Sequence, residues 1–229
     1  MSYYFSRAQL RPASAISLAD RNWLREHSLH GEVQLDHELI WRLFPSDGMA
    51  RDFVFRHELS CSYELNTSQS YLVVSKRQPE ANSMFTVESK PYAPRIDTGE
   101  RLYFDLRANP VVSRSRKGRE TSRRHDVLMD AKKRCADFVD WKNVMHKAAL
   151  DWLVGRAKNW GLEIHVRTVV MKNYRQHSFS GRDKKVSFSV LDYSGLATVV
   201  NPEELLLALT RGVGSARSYG CGLLLVRRG

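Results

Sequence analysis

No apolar run in this chain of 229 residues approaches the ~20 residues that cross a bilayer as a helix. The opening stretch MSYYFSRAQL lacks the apolar centre of a secretory leader, so neither export nor membrane anchoring is expected. Cysteine is scarce. Cys61, Cys135 and Cys221 are odd in number, far apart and form no CxxC pair, which argues against a disulfide framework or a zinc knuckle and for a reduced, cytoplasmic protein. Acidic residues are outnumbered, 25 against 36 Lys and Arg, and they are scattered. Strand cleavage by a metal pair needs grouped carboxylates, and no such group is visible. Neither a serine elbow nor a cysteine-nucleophile signature appears.

What is present is positive charge. The net charge of +11 is the electrostatic footprint of a nucleic-acid binder, and the 42% apolar content suffices for one large core or two small ones. The most unusual stretch is Gly212–Gly222, GVGSARSYGCG, between the apolar helical run Glu203–Leu209 and the strand-like run Leu223–Val226. Gly212, Gly214, Gly220 and Gly222 permit close backbone approach, and Arg217 adds a fixed cation. The residues alone leave two readings open: a glycine-rich turn, or a cradle for phosphate. A nucleotide P-loop does not fit, because here the helix precedes the loop.

The chain in order predicts two strand-rich halves. Tyr3–Leu10 reads as a strand, 11–33 as mixed and polar, and Asp36 as the cap of a short helix ending near Phe44 and Pro45. That places His37 in the first turn. Strands are expected at Arg51–Phe55, Tyr71–Val74, Phe85–Lys90 and Arg101–Leu106. Ser113–Arg124, with six basic residues and one acid, reads as a mobile linker. Leu128, Cys135, Phe138, Trp141, Met145, Ala148 and Trp152 fit one long amphipathic helix ending near Trp160. Ile164–Met171 and the alternating Val186, Phe188 and Val190 read as strands. Between them a hairpin carries Arg175, Arg182, Lys184 and Lys185 around Gly181. His27 and His30 are spaced for a metal on a helix, but no carboxylate or cysteine partner accompanies them, so surface histidines are expected. The element order gives an α+β fold of two tandem ferredoxin-like (βαββαβ, RRM-like) domains, residues 1–112 and 113–229.

Three motifs together carry a resemblance: the glycine loop, Leu102–Pro110 (LYFDLRANP), and Trp41–Pro45 (WRLFP) followed by Ala50–Phe55 (ARDFVF). The combination resembles the CasE family of CRISPR repeat-processing endoribonucleases, within the RAMP superfamily. That resemblance implies a metal-independent enzyme with no cofactor. It would cut the repeat hairpins of a CRISPR precursor RNA to a 2′,3′-cyclic phosphate and a 5′-hydroxyl, then remain in the Cascade complex. It also implies which of eight histidines is catalytic, since the family's histidine stands four residues before the position of Trp41, which is His37. A ribose 2′-OH beside the scissile phosphate needs only a base, a cation and alignment, and histidine titrates near working pH. Some relatives carry a tyrosine three residues before the histidine, where this chain has Gln34, and often a proline where it has Ser215. The RNA-binding set is then Arg42, Arg175, Arg182, Lys184, Lys185, Gly212, Gly214, Ser215, Arg217 and Gly220. A noncatalytic RAMP subunit that holds guide RNA, or an unspecific nucleic-acid binder, fits the charge and the loop equally well.

Overall fold

The computed structural model describes residues 2–29, 31–45, 48–58, 69–116, 119–135, 140–180 and 185–229, with side chains given outside 115–123 and 180–185. His30, Cys61, Phe138, Gly181, Arg182 and Lys184 lie outside the described residues, and of Lys185 only the backbone lies within them.

The first sheet holds four antiparallel strands in the order β2-β3-β1-β4: β1 (Tyr4–Leu10), β2 (Phe53–Glu58), β3 (Ser70–Ser75) and β4 (Phe85–Pro91). Two helices, α1 (Leu18–Ser28) and α2 (Glu32–Trp41), connect β1 to β2. The first was not legible in the polar stretch 11–33, although Ser17 caps it by accepting from the Asp20 amide at 3.0 Å. The strand order is ferredoxin-like, but residues 76–84, where the second crossing helix would lie, carry no helix. Leu35, Leu39, Ile40, Leu43 and Phe44 at α2 pack on Phe53, Phe55, Tyr71, Val73 and Phe85. Each such burial contributes about 1.5–3 kcal/mol, so α2 is clamped to its sheet.

The second sheet runs β11-β5-β10-β8, with β5 (Arg101–Ala108), β8 (Leu162–Ile164), β10 (Lys185–Val199) and β11 (Leu224–Arg228), and β9 (Val170–Ser180) pairs with the first part of β10. The order again is ferredoxin-like. Its helices are α4 (Trp141–Ala157) and α5 (Pro202–Arg211), and α5 is capped by Asn201 with Glu203 and Glu204 in its first turn. Strand β5 was expected with the first half. Its alternating buried residues Leu102, Phe104, Leu106 and Ala108 belong instead to the second core. The change of sheet therefore falls between Pro91 and Arg101, ahead of the expected boundary at residues 112 and 113.

Two further expectations change. Residues 113–116 and 119–124 are no linker: β6 (Val111–Arg116) and β7 (Arg119–Asp126) form an antiparallel two-stranded sheet. Its polar, basic sequence has no apolar face to reveal it; the pairing is backbone to backbone. The long helix is two, because α3 (Val127–Arg134) ends at Cys135, whose extended backbone (φ −80°, ψ 120°) cannot continue a helix. The two halves meet where Val54 and Val74 of the first sheet bury Leu223 of the second half. Arg56 of β2 also meets Asp105 of β5.

Candidate active site

His37 lies in the second turn of α2, whose cap is Gly31, so Asp36 caps nothing. Asp36 is buried and accepts from Tyr71 Oη at 2.6 Å and His57 Nδ1 at 3.1 Å, which pins α2 to β2 and β3. The first-turn placement would have let the helix dipole disfavour imidazolium; that effect fades beyond the first turn. What acts on His37 is its surroundings. Burial lowers its proton affinity most; the Ser218 carbonyl raises it, Arg51 lowers it and Glu38 raises it, with the balance below the ordinary 6.5. The decisive contact is with the other half: His37 Nδ1 sits 2.9 Å from the Ser218 carbonyl oxygen. A carbonyl can only accept, so Nδ1 carries the hydrogen and a neutral ring presents Nε2 as its bare nitrogen.

The glycine loop supplies that carbonyl, and its shape explains its glycines. Gly222 has φ +86°, and a Cβ there would stand 2.3 Å from the Val213 carbonyl oxygen. At Gly212 (φ +71°) a Cβ would meet Val54 Cγ2 at 2.8 Å. Gly222 therefore serves the loop's own packing, and Gly212 its fit against Val54 of β2. Gly220 lies over Phe55, while a Cβ at Gly214 would meet nothing within 4 Å. The loop also leans on the LRANP segment: Gly222 N–H donates to the Arg107 carbonyl at 2.7 Å, and Ser215 Oγ donates to that of Asn109 at 3.4 Å. Two motifs that are distant in sequence are thus one structural unit. Arg107 in turn grips Asp192 through two nitrogens, at 2.8 and 3.1 Å.

Around His37 stand groups the sequence did not single out. Tyr219 has its ring centroid 5.8 Å from that of His37 and stacks on Phe188 at 5.3 Å, which stacks on His177 at 5.3 Å. Arg51 donates to Ser218 Oγ, and Arg217 donates to the Arg211 carbonyl at 2.9 Å. Arg51 and Tyr219 sit inside stretches already notable, one in ARDFVF and one between Arg217 and Gly220, but only the fold shows that both converge on α2. Arg42 does not join them. It lies over the Trp23 ring at 3.9 Å with Asp20 at 3.6 Å, tying α2 to α1. Arg175 lines a small enclosed pocket with Glu32, His57, Arg107 and His177. His27 is occupied on α1 by the Trp23 carbonyl at 2.8 Å.

A cleft of about 680 Å3 beside Tyr219 is lined by Arg124, His125, Lys133, Gln176, Phe188 and Ser215. The carboxylates on its rim are committed: Asp126 to Met129 N–H and Tyr174, Asp130 to Arg114 and Arg134. The cleft therefore presents donors and aromatic faces, the chemistry that suits unpaired RNA and phosphate. Among the described residues, no three His, Cys, Asp or Glu side chains gather as a metal site.

Comparison with known proteins gives the family and the fold. The family model described as CRISPR associated protein matches residues 3–228. This chain belongs to that family. The Cascade subunit CasE of Escherichia coli K12 is 29% identical over 195 residues, covering 82% of this chain and 88% of that one. The CRISPR-associated endoribonuclease Cse3 of Thermus thermophilus is 26% identical over 189 residues, covering 82% and 79%. Among solved structures, Thermus thermophilus Cse3 bound to an RNA representing a pre-cleavage complex has a TM-score of 0.70 at 22% identity, covering 99% of this chain and all of that one. Cas6e from Escherichia coli K-12 has a TM-score of 0.63 at 23% identity over 98% of this chain and 99% of that one. These structural likenesses establish the shared fold of this CRISPR-associated chain.

Proposed function

We propose that this CRISPR-associated protein is a metal-independent endoribonuclease that cuts CRISPR precursor RNA at its repeat hairpins and keeps the product as a cytoplasmic subunit of Cascade. The observation that carries the reading is the tie between His37 Nδ1 and the Ser218 carbonyl. It fixes the tautomer, so Nε2 accepts the hydrogen of a ribose 2′-OH. The freed 2′-oxygen bonds to phosphorus while the bond from phosphorus to the 5′-oxygen breaks. The products are a 2′,3′-cyclic phosphate and a 5′-hydroxyl, whose proton comes from water. Cascade membership and repeat cleavage are supported by the CasE and Cse3 relatives. The basic walls of the cleft and the open Gly214 support RNA binding.

The test is single-turnover cleavage of the cognate repeat hairpin in EDTA. Wild-type protein makes one discrete cut, and His37→Ala abolishes it with hairpin affinity nearly unchanged. Intact RNA that stays tightly bound to the wild type would instead make the protein a noncatalytic scaffold. Equal affinity for a scrambled RNA would make it an unspecific binder.

A further inference from the structure

Three partly buried guanidinium groups in this protein meet carboxylates. Arg56 has Asp105, Arg77 holds Asp52 through Nε at 3.0 Å and Nη2 at 2.9 Å, and Arg107 holds Asp192. Arg51 and Arg217 break this pattern. Their hydrogen-bond partners are Ser218 Oγ and the Arg211 carbonyl, both neutral, and among the described residues neither has a carboxylate. They are also near one another: burial lowers the proton affinity of Arg51 first, and the charge of Arg217 lowers it further. Two like charges held together partly out of water are unfavourable for the folded chain, unless an anion is meant to sit between them. Both line one cavity of about 460 Å3 with Lys76 and Arg211. The acid on its wall, Asp52, is already taken by Arg77.

Ser218 relates this pair to the base. Its carbonyl receives His37 Nδ1–H, and its hydroxyl receives Arg51. One residue thus sets a proton acceptor and a fixed cation on a common mount. We propose that Arg51, assisted by Arg217, holds the non-bridging oxygens of the phosphate being cleaved, so that Arg51 is a catalytic residue and Arg42 is not. This rests on the nuclease reading of His37. As the 2′-oxygen adds to phosphorus, negative charge builds on those oxygens, and cations already in place stabilise it without rearranging.

The test compares Arg51→Gln, Arg51→Lys, Arg217→Gln and the double Gln variant with wild type. Glutamine keeps a donor for Ser218 but removes the charge. The expected result is a loss of about 100-fold in single-turnover cleavage for Arg51→Gln. Arg217→Gln loses less, Arg51→Lys recovers part of the rate, and hairpin affinity stays within about fivefold throughout. Wild-type cleavage by Arg51→Gln would overturn the assignment while leaving the nuclease intact; no cleavage by wild type would overturn the nuclease. A second measurement does not need cleavage. Among the described residues, the charged or titratable groups facing His37 are Arg51, Glu38 and Tyr219. Phosphate seated on Arg51 cancels its repulsion, so a hairpin blocked by a 2′-deoxy sugar at the attacking ribose raises the NMR titration midpoint of His37. The rise disappears in the double variant; an equal rise in both proteins refutes the pair.

Discussion

Asp36 and His37 are neighbours in sequence with opposite duties, and the difference is one of surroundings. Asp36 points into the first core and is satisfied by Tyr71 and His57. His37 faces the Ser218 carbonyl of the second half, and Arg51, from its own half, opposes that carbonyl over the proton. Because burial and Arg51 leave the imidazolium disfavoured, the base form of His37 predominates above a midpoint lower than 6.5. Single-turnover cleavage therefore rises with pH up to the midpoint of His37 in the RNA complex, which bound phosphate raises above that of the free protein, and is flat beyond it. Glu38→Gln removes a charge that favours imidazolium, so its rise comes at lower pH than in wild type. Measured pH–rate profiles decide this, and a rate that falls across the histidine range would make His37 the acid for the leaving oxygen. The identity of His37 was legible only through its distance from Trp41. Nothing local announces that Asp36, a good capping residue by type, is consumed by side chains 21 and 35 positions downstream.

At the level of elements, the glycine loop is the piece that turns two folded halves into one site. Its glycines were legible as a group, but their roles were not, because roles depend on what lies across the gap. Gly222→Ala drives a Cβ into the Val213 carbonyl in left-handed backbone, and Val213 N–H is itself bonded to the Gly222 carbonyl at 2.8 Å. The substitution should cost about 2–3 kcal/mol of stability in chemical denaturation and displace Ser218 enough to impair cleavage. Gly214→Ala meets no neighbour and carries only the strain of φ +69°, about 1–2 kcal/mol. On the proposed RNA-binding role of Gly214, its larger effect is expected on RNA affinity, since a Cβ there fills open space. Equal effects of the two substitutions on stability and affinity would refute this division. The β6–β7 hairpin and the break between α3 and α4 escaped the sequence for a related reason. Periodicity is read from apolar residues, and an arginine-rich stretch has too few of them to show a period.

Across the whole molecule, the net charge of +11 is not spread evenly in its availability. Many cations are consumed in structure: Arg42 by Trp23 and Asp20, Arg56 by Asp105, Arg107 by Asp192. Among the described residues, cations with no carboxylate partner line two hollows: Arg124 and Lys133 the cleft that also holds Ser215 and Tyr219, and Arg51 and Arg217 the cavity beside Asp52. Composition alone gives the total charge and says nothing of this sorting, which is why Arg42 could be grouped with Arg175 and Arg217 before the fold was known. Counterion release converts the sorting into a measurement, because each phosphate neutralised adds about 0.9 to the slope of log affinity against log salt. Arg124→Ala should weaken hairpin binding and flatten that slope by about one. Arg42→Ala should leave the slope unchanged and lower the thermal midpoint instead, since it removes the bridge between α1 and α2. Salt titrations of both variants against the cognate hairpin check the pair of outcomes. If Arg42→Ala flattens the slope and Arg124→Ala does not, RNA runs over the α1–α2 face, and the cleft beside Tyr219 is not its path.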